Sequence, residues 1–177
     1  MIPVVMFVIA SCGAMTTPQG QYAEAMQPAL ERLPEWQNDF STLESLLTDP
    51  LDADTGVTRL QIIDLYNIAM EYKITRDDYF SLGLEPLDAL VGPSVNISKD
   101  GQSILDTISQ VTPVEEIQAD HQVVLDCIQA RVAFAEELSS SIKELDAIDM
   151  NKAGELVSCD TFESSLEKVT AFVEENK

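Results

Sequence analysis

Apolar residues recur at steps of three and four positions along most of the chain, which is the period of an α-helix. In the first part these steps predict one helix over residues 22–48, interrupted by Pro28 and Pro34, where proline kinks a helix interior. Thr58 is predicted to cap a second helix. No segment alternates with the two-residue period of a half-buried strand, so the pattern predicts an all-α protein.

The second helix is predicted to bury an unusually wide face. Leu60, Ile63 and Met70 mark the centre of that face, and Leu65 and Ile68 widen it. A helix with such a broad apolar face is predicted to pack against more than one neighbour.

The stretch that follows predicts short elements rather than one continuous helix. Thr75 and Asp78 have the spacing of a capping box, which predicts the start of a short helix. The glycine-proline pair at 92–93 and a loop-like segment over 94–101 then separate one or two helical turns from a short amphipathic helix over 102–111.

The second half of the chain predicts the best-defined helices. The pair Thr112-Pro113, followed by two glutamates, has the cap, the proline and the acids of a helix start. Helical spacing then continues from 117 to 148, about nine turns at 3.6 residues per turn. A last helix is predicted from residue 152 or 153 to 175. Together these elements predict an antiparallel bundle of four main helices, with a fifth short helix as the alternative.

The opening segment has a different character from this helical body. Residues 1–10 carry no charge and include an unbroken apolar run. That run is shorter than the roughly 20 residues needed to span a bilayer, but it fits the apolar region of a secretory signal, about 7–15 residues long. It ends in Ile9-Ala10-Ser11-Cys12, which resembles the bacterial lipobox, whose cysteine is diacylated and becomes the mature N-terminus.

This resemblance divides the chain into a signal-like segment over 1–11, a lipid-attachment cysteine with a linker over 12–20, and a helical-bundle domain over 21–177. It implies an extracytoplasmic protein that is anchored to a membrane of the cell envelope through Cys12. The pattern departs from an export signal because no Lys or Arg precedes the apolar run. The alternatives are a start upstream of Met1, or a buried N-terminal segment in which Cys12 is an ordinary small side chain.

A second, looser resemblance concerns the body of the chain. Residues 113–117 read Pro-Val-Glu-Glu-Ile, His121 follows four positions later, and a long helix rich in Ala, Glu and Leu comes after it. This combination resembles helical lipoproteins of unassigned function in bacteria. It indicates a structural class and transfers no activity.

The net charge restricts the partners. The chain has 31 acidic and 10 basic residues, which gives −21. A surface of this sign repels phosphate backbones, so no nucleic-acid partner is predicted. It also repels anionic lipid headgroups, so membrane attachment requires the covalent lipid. The predicted partners are therefore the membrane, through the anchor, and an unknown protein or small molecule.

No pattern in the sequence predicts catalysis or a bound metal. His121 is the single histidine, and the position three residues before it is Gln118 rather than the glutamate of a di-iron bundle. Cys127 and Cys159 each stand alone, without the paired spacing of a zinc site. We therefore predict a non-enzymatic protein with a binding or interaction role and no cofactor.

Two alternatives to this interpretation stay open. One is a metal- or cofactor-binding bundle that uses His121 and core carboxylates, and the other is a sensory or regulatory ectodomain. If a ligand pocket exists, we expect it beside His121, with Tyr66, Met70, Tyr72 or Trp36 facing it, because these residues lie on apolar helix faces.

Cys127 and Cys159 form a candidate disulfide. With Cys12 lipidated, these two remain as a pair in a compartment that permits the bond. A regular helical hairpin that turns near residue 150 offsets them by about 14 residues, or roughly 21 Å at 1.5 Å per residue, whereas a disulfide needs Cα atoms within about 7 Å. The bond requires a turn nearer 143, for example at Ser139–Ser141, so the bonded and unbonded states both stay open.

Overall fold

The computed structural model describes residues 17–149 and 159–177. The helices within these ranges are α1 (Pro18–Thr48), α2 (Arg59–Glu71), α3 (Arg76–Ser81), α4 (Asp88–Ile108), α5 (Gln118–Glu144) and α6 (Phe162–Glu175), with a 3-10 turn over Glu85–Leu87 before α4. The described residues form no strand, and the all-α prediction is confirmed. The signal-like segment and Cys12 lie outside the described residues.

The four long helices enclose one core. α1 contacts α4 and α6, and α5 contacts the same two helices from the other side. Tyr22 and Gln37 of α1 lie against Phe172 and Glu163 of α6, in that order, so α1 and α6 run in opposite directions. A helical bundle is therefore confirmed as the architecture.

α1 begins earlier than the sequence predicts and continues through both prolines. Its first residue is Pro18, within the segment predicted as a linker, and the Gly20 amide donates to Thr17 Oγ1 at 3.1 Å to cap it. Pro28 and Pro34 are exposed. Each lacks the amide that bonds the carbonyl four residues earlier, and on an exposed face water replaces that bond. The buried opposite face keeps the helix continuous.

The predicted interruption before residue 102 is wrong, because α4 runs from Asp88 through Pro93 to Ile108. Its buried positions keep helical spacing throughout, and they are Leu90, Ser94, Ile97, Gly101, Ile104, Leu105 and Ile108. Two of these inward positions, Ser94 and Gly101, are not large apolar residues, so the helical repeat of apolar residues is interrupted in the sequence. Glycine is required at 101, since a Cβ there would meet Val132 and lie 2.8 Å from Trp36 Nε1.

Two predicted helix boundaries in the second half are also wrong. α5 begins at Gln118 instead of Thr112, because a turn closed by the Ile117 amide and the Val114 carbonyl precedes it. It ends at Glu144, where Leu145 adopts a left-handed conformation with φ of 57°. α6 begins at Phe162, and residues 159–161 before it are not helical. The predicted start of the last helix at 152 or 153 lies outside the described residues.

α2 and α3 form a separate layer at one end of the bundle, and both predicted caps are confirmed. Thr58 with Gln61, and Thr75 with Asp78, make reciprocal capping boxes at the starts of α2 and α3. The Tyr66 hydroxyl donates to the Ser141 carbonyl at 2.7 Å, which fixes α2 beside the last turn of α5.

Candidate functional site

His121 is enclosed by three helices at the end of the bundle where α1 begins. It lies on α5, its Nδ1 is 3.1 Å from Tyr22 Oη of α1, and the Tyr22 ring also packs edge-on against Phe172 of α6. Burial lowers the pKa of His121 from its ordinary value of 6.5, which favours the neutral ring. A neutral imidazole with its proton on Nε2 accepts at Nδ1 the hydrogen bond that the Tyr22 hydroxyl donates.

This histidine is closed to an external substrate. His121 is 3% exposed and Tyr22 is 2% exposed. Burial also raises the pKa of the Tyr22 phenol, so the hydroxyl remains a donor. Tyr22 and His121 form a buried polar pair in which each side chain satisfies the hydrogen-bonding group of the other. It provides no open position for a reacting group.

The predicted ligand pocket of His121, Tyr66 and Met70 is not assembled. Tyr66 bonds the carbonyl of Ser141, which follows His121 by 20 residues on the same helix. At 1.5 Å per residue that separation is about 30 Å along α5. Met70 lies on α2 beside Tyr66 and is half-buried against the core. The prediction fails because apolar helix faces do not fix which end of a long helix a short one crosses.

Cys127 and Cys159 are joined in a disulfide, with their Cα atoms 5.8 Å apart. The geometric objection assumed that both cysteines lie in a regular hairpin, and Cys159 instead lies outside α6. α5 continues through Ser139–Ser141 and ends at Glu144, where Leu145 adopts a left-handed backbone conformation. The helix therefore ends near residue 143, as the bonded alternative requires, although not at the serines given as an example. The bond ties Cys159, three residues before the first residue of α6, to α5.

Arg131 is a partly buried cation that sequence reasoning did not single out. Its guanidinium carbon lies 4.5 Å from the centre of the Phe40 ring and 4.7 Å from that of Phe162. Burial lowers the pKa of Arg131, while Glu44 and Glu163 raise it. A guanidinium held between two rings joins α5 to α1 and α6 by cation–π contacts. The only signal in the sequence was an arginine beside the inward position of Val132.

A groove of about 520 Å³ lies where α1 begins and α6 ends, and Ala23, Gln27, Pro28 and Asn176 line part of it. In residues 17–149 and 159–177, no three His, Cys, Asp or Glu side chains are grouped as metal ligands would be. Among those same residues, no helix is long and apolar enough to cross a membrane.

Exposed apolar side chains are concentrated in one part of the described chain. Eight of its nine large exposed apolar residues lie between Leu51 and Leu82, and the ninth is Val95 on α4. The eight are Leu51, Val57, Leu60, Leu65, Ile68, Tyr72, Phe80 and Leu82. This part of the molecule contains α2 and α3, which lie beside the end of α5 that is remote from His121.

Comparisons with family models, with curated proteins and with solved structures find no match for this chain. The candidate site therefore rests on the geometry of this molecule alone.

Proposed function

We propose that this chain is a lipid-anchored extracytoplasmic protein, an antiparallel four-helix bundle with a non-catalytic binding role. The observation that carries the proposal is the concentration of exposed apolar side chains on and around α2 and α3. Soluble proteins rarely expose several apolar side chains together unless the surface has a partner. The bundle supports that surface without supplying a reactive group.

The positions of the proposed anchor and of the exposed apolar side chains relative to α1 support an anchored binding protein. Cys12 precedes the first described residue, Thr17, by five positions, so an anchor there attaches at the end where α1 begins. α1 is 31 residues long, which is about 45 Å at 1.5 Å per residue. α2 follows the far end of α1, and its apolar side chains are then presented away from the membrane.

Two further features support the location. A disulfide persists in oxidising compartments outside the cytoplasm, and Cys127 and Cys159 form one. The net charge of −21 repels anionic membrane surfaces, so attachment through Cys12 needs the lipid.

The anchor is tested by labelling growing cells with an alkyne analogue of palmitate. We expect label on the wild-type protein and on Cys159→Ala, and no label on Cys12→Ala, which should also leave the membrane fraction. The Cys159 variant is the matched control, because it removes a cysteine without removing the proposed attachment site. An unlabelled wild-type protein contradicts the anchor.

The alternative of a bound metal or cofactor is tested separately on the purified protein. We expect metal analysis to give no stoichiometric metal and the visible spectrum to be featureless. A bound metal or a chromophore that His121→Phe removes would instead favour the alternative, a metal- or cofactor-binding bundle that uses His121.

A further inference from the structure

α2 has two faces of the same apolar character and opposite exposure. Ile63, Tyr66 and Ala69 face the core, and the most exposed of them is 6% exposed. On the other side Leu65, Ile68 and Tyr72 are 46%, 56% and 78% exposed. Leu65 and Ile68 lie on α2, and Tyr72 is the residue that directly follows its last turn. Their spacing of three and then four residues places the three side chains in one stripe, which we call the α2 stripe.

The α2 stripe is held rigidly. The Asn67 side chain donates to the Ile148 carbonyl and accepts from the Ile148 amide, both at 2.8 Å. Arg59, at the start of α2, donates to the carbonyls of Leu46 and Pro86, both at 3.0 Å. A surface ordered before binding loses less conformational entropy when a partner arrives, so the hold on α2 favours recognition.

Acidic side chains border the α2 stripe. Asp64 and Glu71 lie four residues before and three residues after Ile68, so they neighbour it on the helix surface. Both are exposed, and neither makes an ion pair or hydrogen bond within the described part of the chain. The edge of the stripe is therefore negative and available for pairing.

We propose that α2 is a recognition helix, whose Leu65, Ile68 and Tyr72 side chains dock into an apolar groove with a basic rim on a partner protein. Anchors at positions i, i+3 and i+7 are the pattern by which an amphipathic helix binds a hydrophobic groove. The basic rim follows from Asp64 and Glu71 and from the net charge of −21, which also opposes pairing with a second copy of this chain. This inference rests on the proposed binding function and names its surface and partner.

The probe is a synthetic helical peptide with leucines along one face and lysines beside them, which presents an apolar seam flanked by basic groups. Its affinity for the full-length chain is measured by fluorescence anisotropy. Leu65→Asn combined with Ile68→Asn should weaken binding by about tenfold or more, as loss of central apolar contacts does. Val95→Asn, at the exposed apolar position on α4, is the matched control and should retain the wild-type affinity.

Three further measurements decide between the outcomes. A peptide of the same composition with scattered leucines should bind more weakly, and Asp64→Asn with Glu71→Gln should reduce the salt dependence of binding. Equal affinities for both peptides, or for the stripe and Val95 variants, would overturn the proposal. A dimer of the wild-type chain that the stripe variant dissolves would also overturn it, in favour of a second copy.

These results are independent of the anchor. The Cys12→Ala chain should bind the peptide as tightly as the wild type, because Cys12 precedes the first residue of α1 in sequence and α2 follows the last. Failure of palmitate labelling with intact peptide binding would remove the anchor and leave the recognition helix. Labelled protein that binds both peptides equally would support the anchor and overturn the recognition helix.

Discussion

Two tyrosines, one near each end of the bundle, differ sharply in exposure. At the end where α1 begins, Tyr22 is 2% exposed, packs against Phe172 and bonds His121. At the other end Tyr72 is 78% exposed and ends the α2 stripe. We call the first region the closed end and the second the open end.

This difference indicates that the side chains at the closed end stabilise the fold, whereas the exposed side chains at the open end are available for binding. At the closed end, three helices share one set of buried contacts, so any change there affects the packing of all three. At the open end, the exposed side chains contribute little to folding, because they remain in water in the folded chain. The open end is therefore free to retain apolar groups for a partner.

The largest expected effect comes from truncating one tyrosine at each end. Tyr22→Ala should lower the free energy of unfolding by about 3–5 kcal/mol, as for other large buried rings. Tyr72→Ala should change it by no more than about 0.5 kcal/mol, since an exposed side chain leaves no cavity. Urea unfolding followed by circular dichroism measures both values.

The two variants control for each other, because the chemical change is identical. Similar losses at both positions would mean that the two ends are equally packed. That result would remove the contrast on which the recognition helix depends.

Removal of the disulfide is expected to have the next largest effect, and to affect α6 but not α2. Cys127→Ser should destabilise the chain by about 4 kcal/mol, given a sequence separation of 32 residues between the cysteines. Because the bond ties α6 to α5, hydrogen exchange should quicken in α6 and remain unchanged in α2. Cys159→Ser should reproduce the result, and a loss of protection centred on α2 would contradict this assignment.

The cap of α2 is the corresponding test at the open end. Thr58→Ala removes the acceptor for the Gln61 amide and should reduce stability by about 1 kcal/mol. The faster hydrogen exchange should be confined to the first turn of α2. Thr75→Ala, in the capping box of α3, is the parallel variant and should leave the exchange of α2 unchanged.

The features that could be predicted from sequence are local ones. The capping boxes at Thr58 and Thr75 depend on residues three positions apart, and both are present. The sequence predicts separate short segments where the structure has the single helix α4, because Pro93 indicates a helix end. Its inward Ser94 and Gly101 show that a helix period includes small residues where helices approach closely.

The candidate site was less accessible from sequence than the fold. The broad apolar face of α2 was predicted to pack against several neighbours, and Ile62 does pack against the core while Leu65 and Ile68 remain exposed. Periodicity reports which positions are apolar and not which of them another element covers. The partner of His121 was missed for a related reason, because Tyr22 lies 99 residues away in sequence.

The smallest expected effect is a pH dependence that belongs to the closed end. Burial lowers the pKa of His121 below its ordinary value of 6.5, so the unfolded chain takes up a proton more readily than the folded one. With respect to this group, the free energy of unfolding is therefore highest above pH 6.5, where the imidazole is neutral in both states. It decreases as the pH falls from 6.5 to the pKa of His121 in the folded chain. His121→Phe should remove this loss and give a flatter stability profile between about pH 7 and pH 5.

The carboxyls of Asp78 and Asp120, whose hydrogen bonds to Thr75 and Lys168 lower their pKa values below 3.8, titrate under this range. Tyr72→Ala should keep the wild-type slope, and an unchanged slope in His121→Phe would show that the closed end does not control the acid sensitivity of the fold.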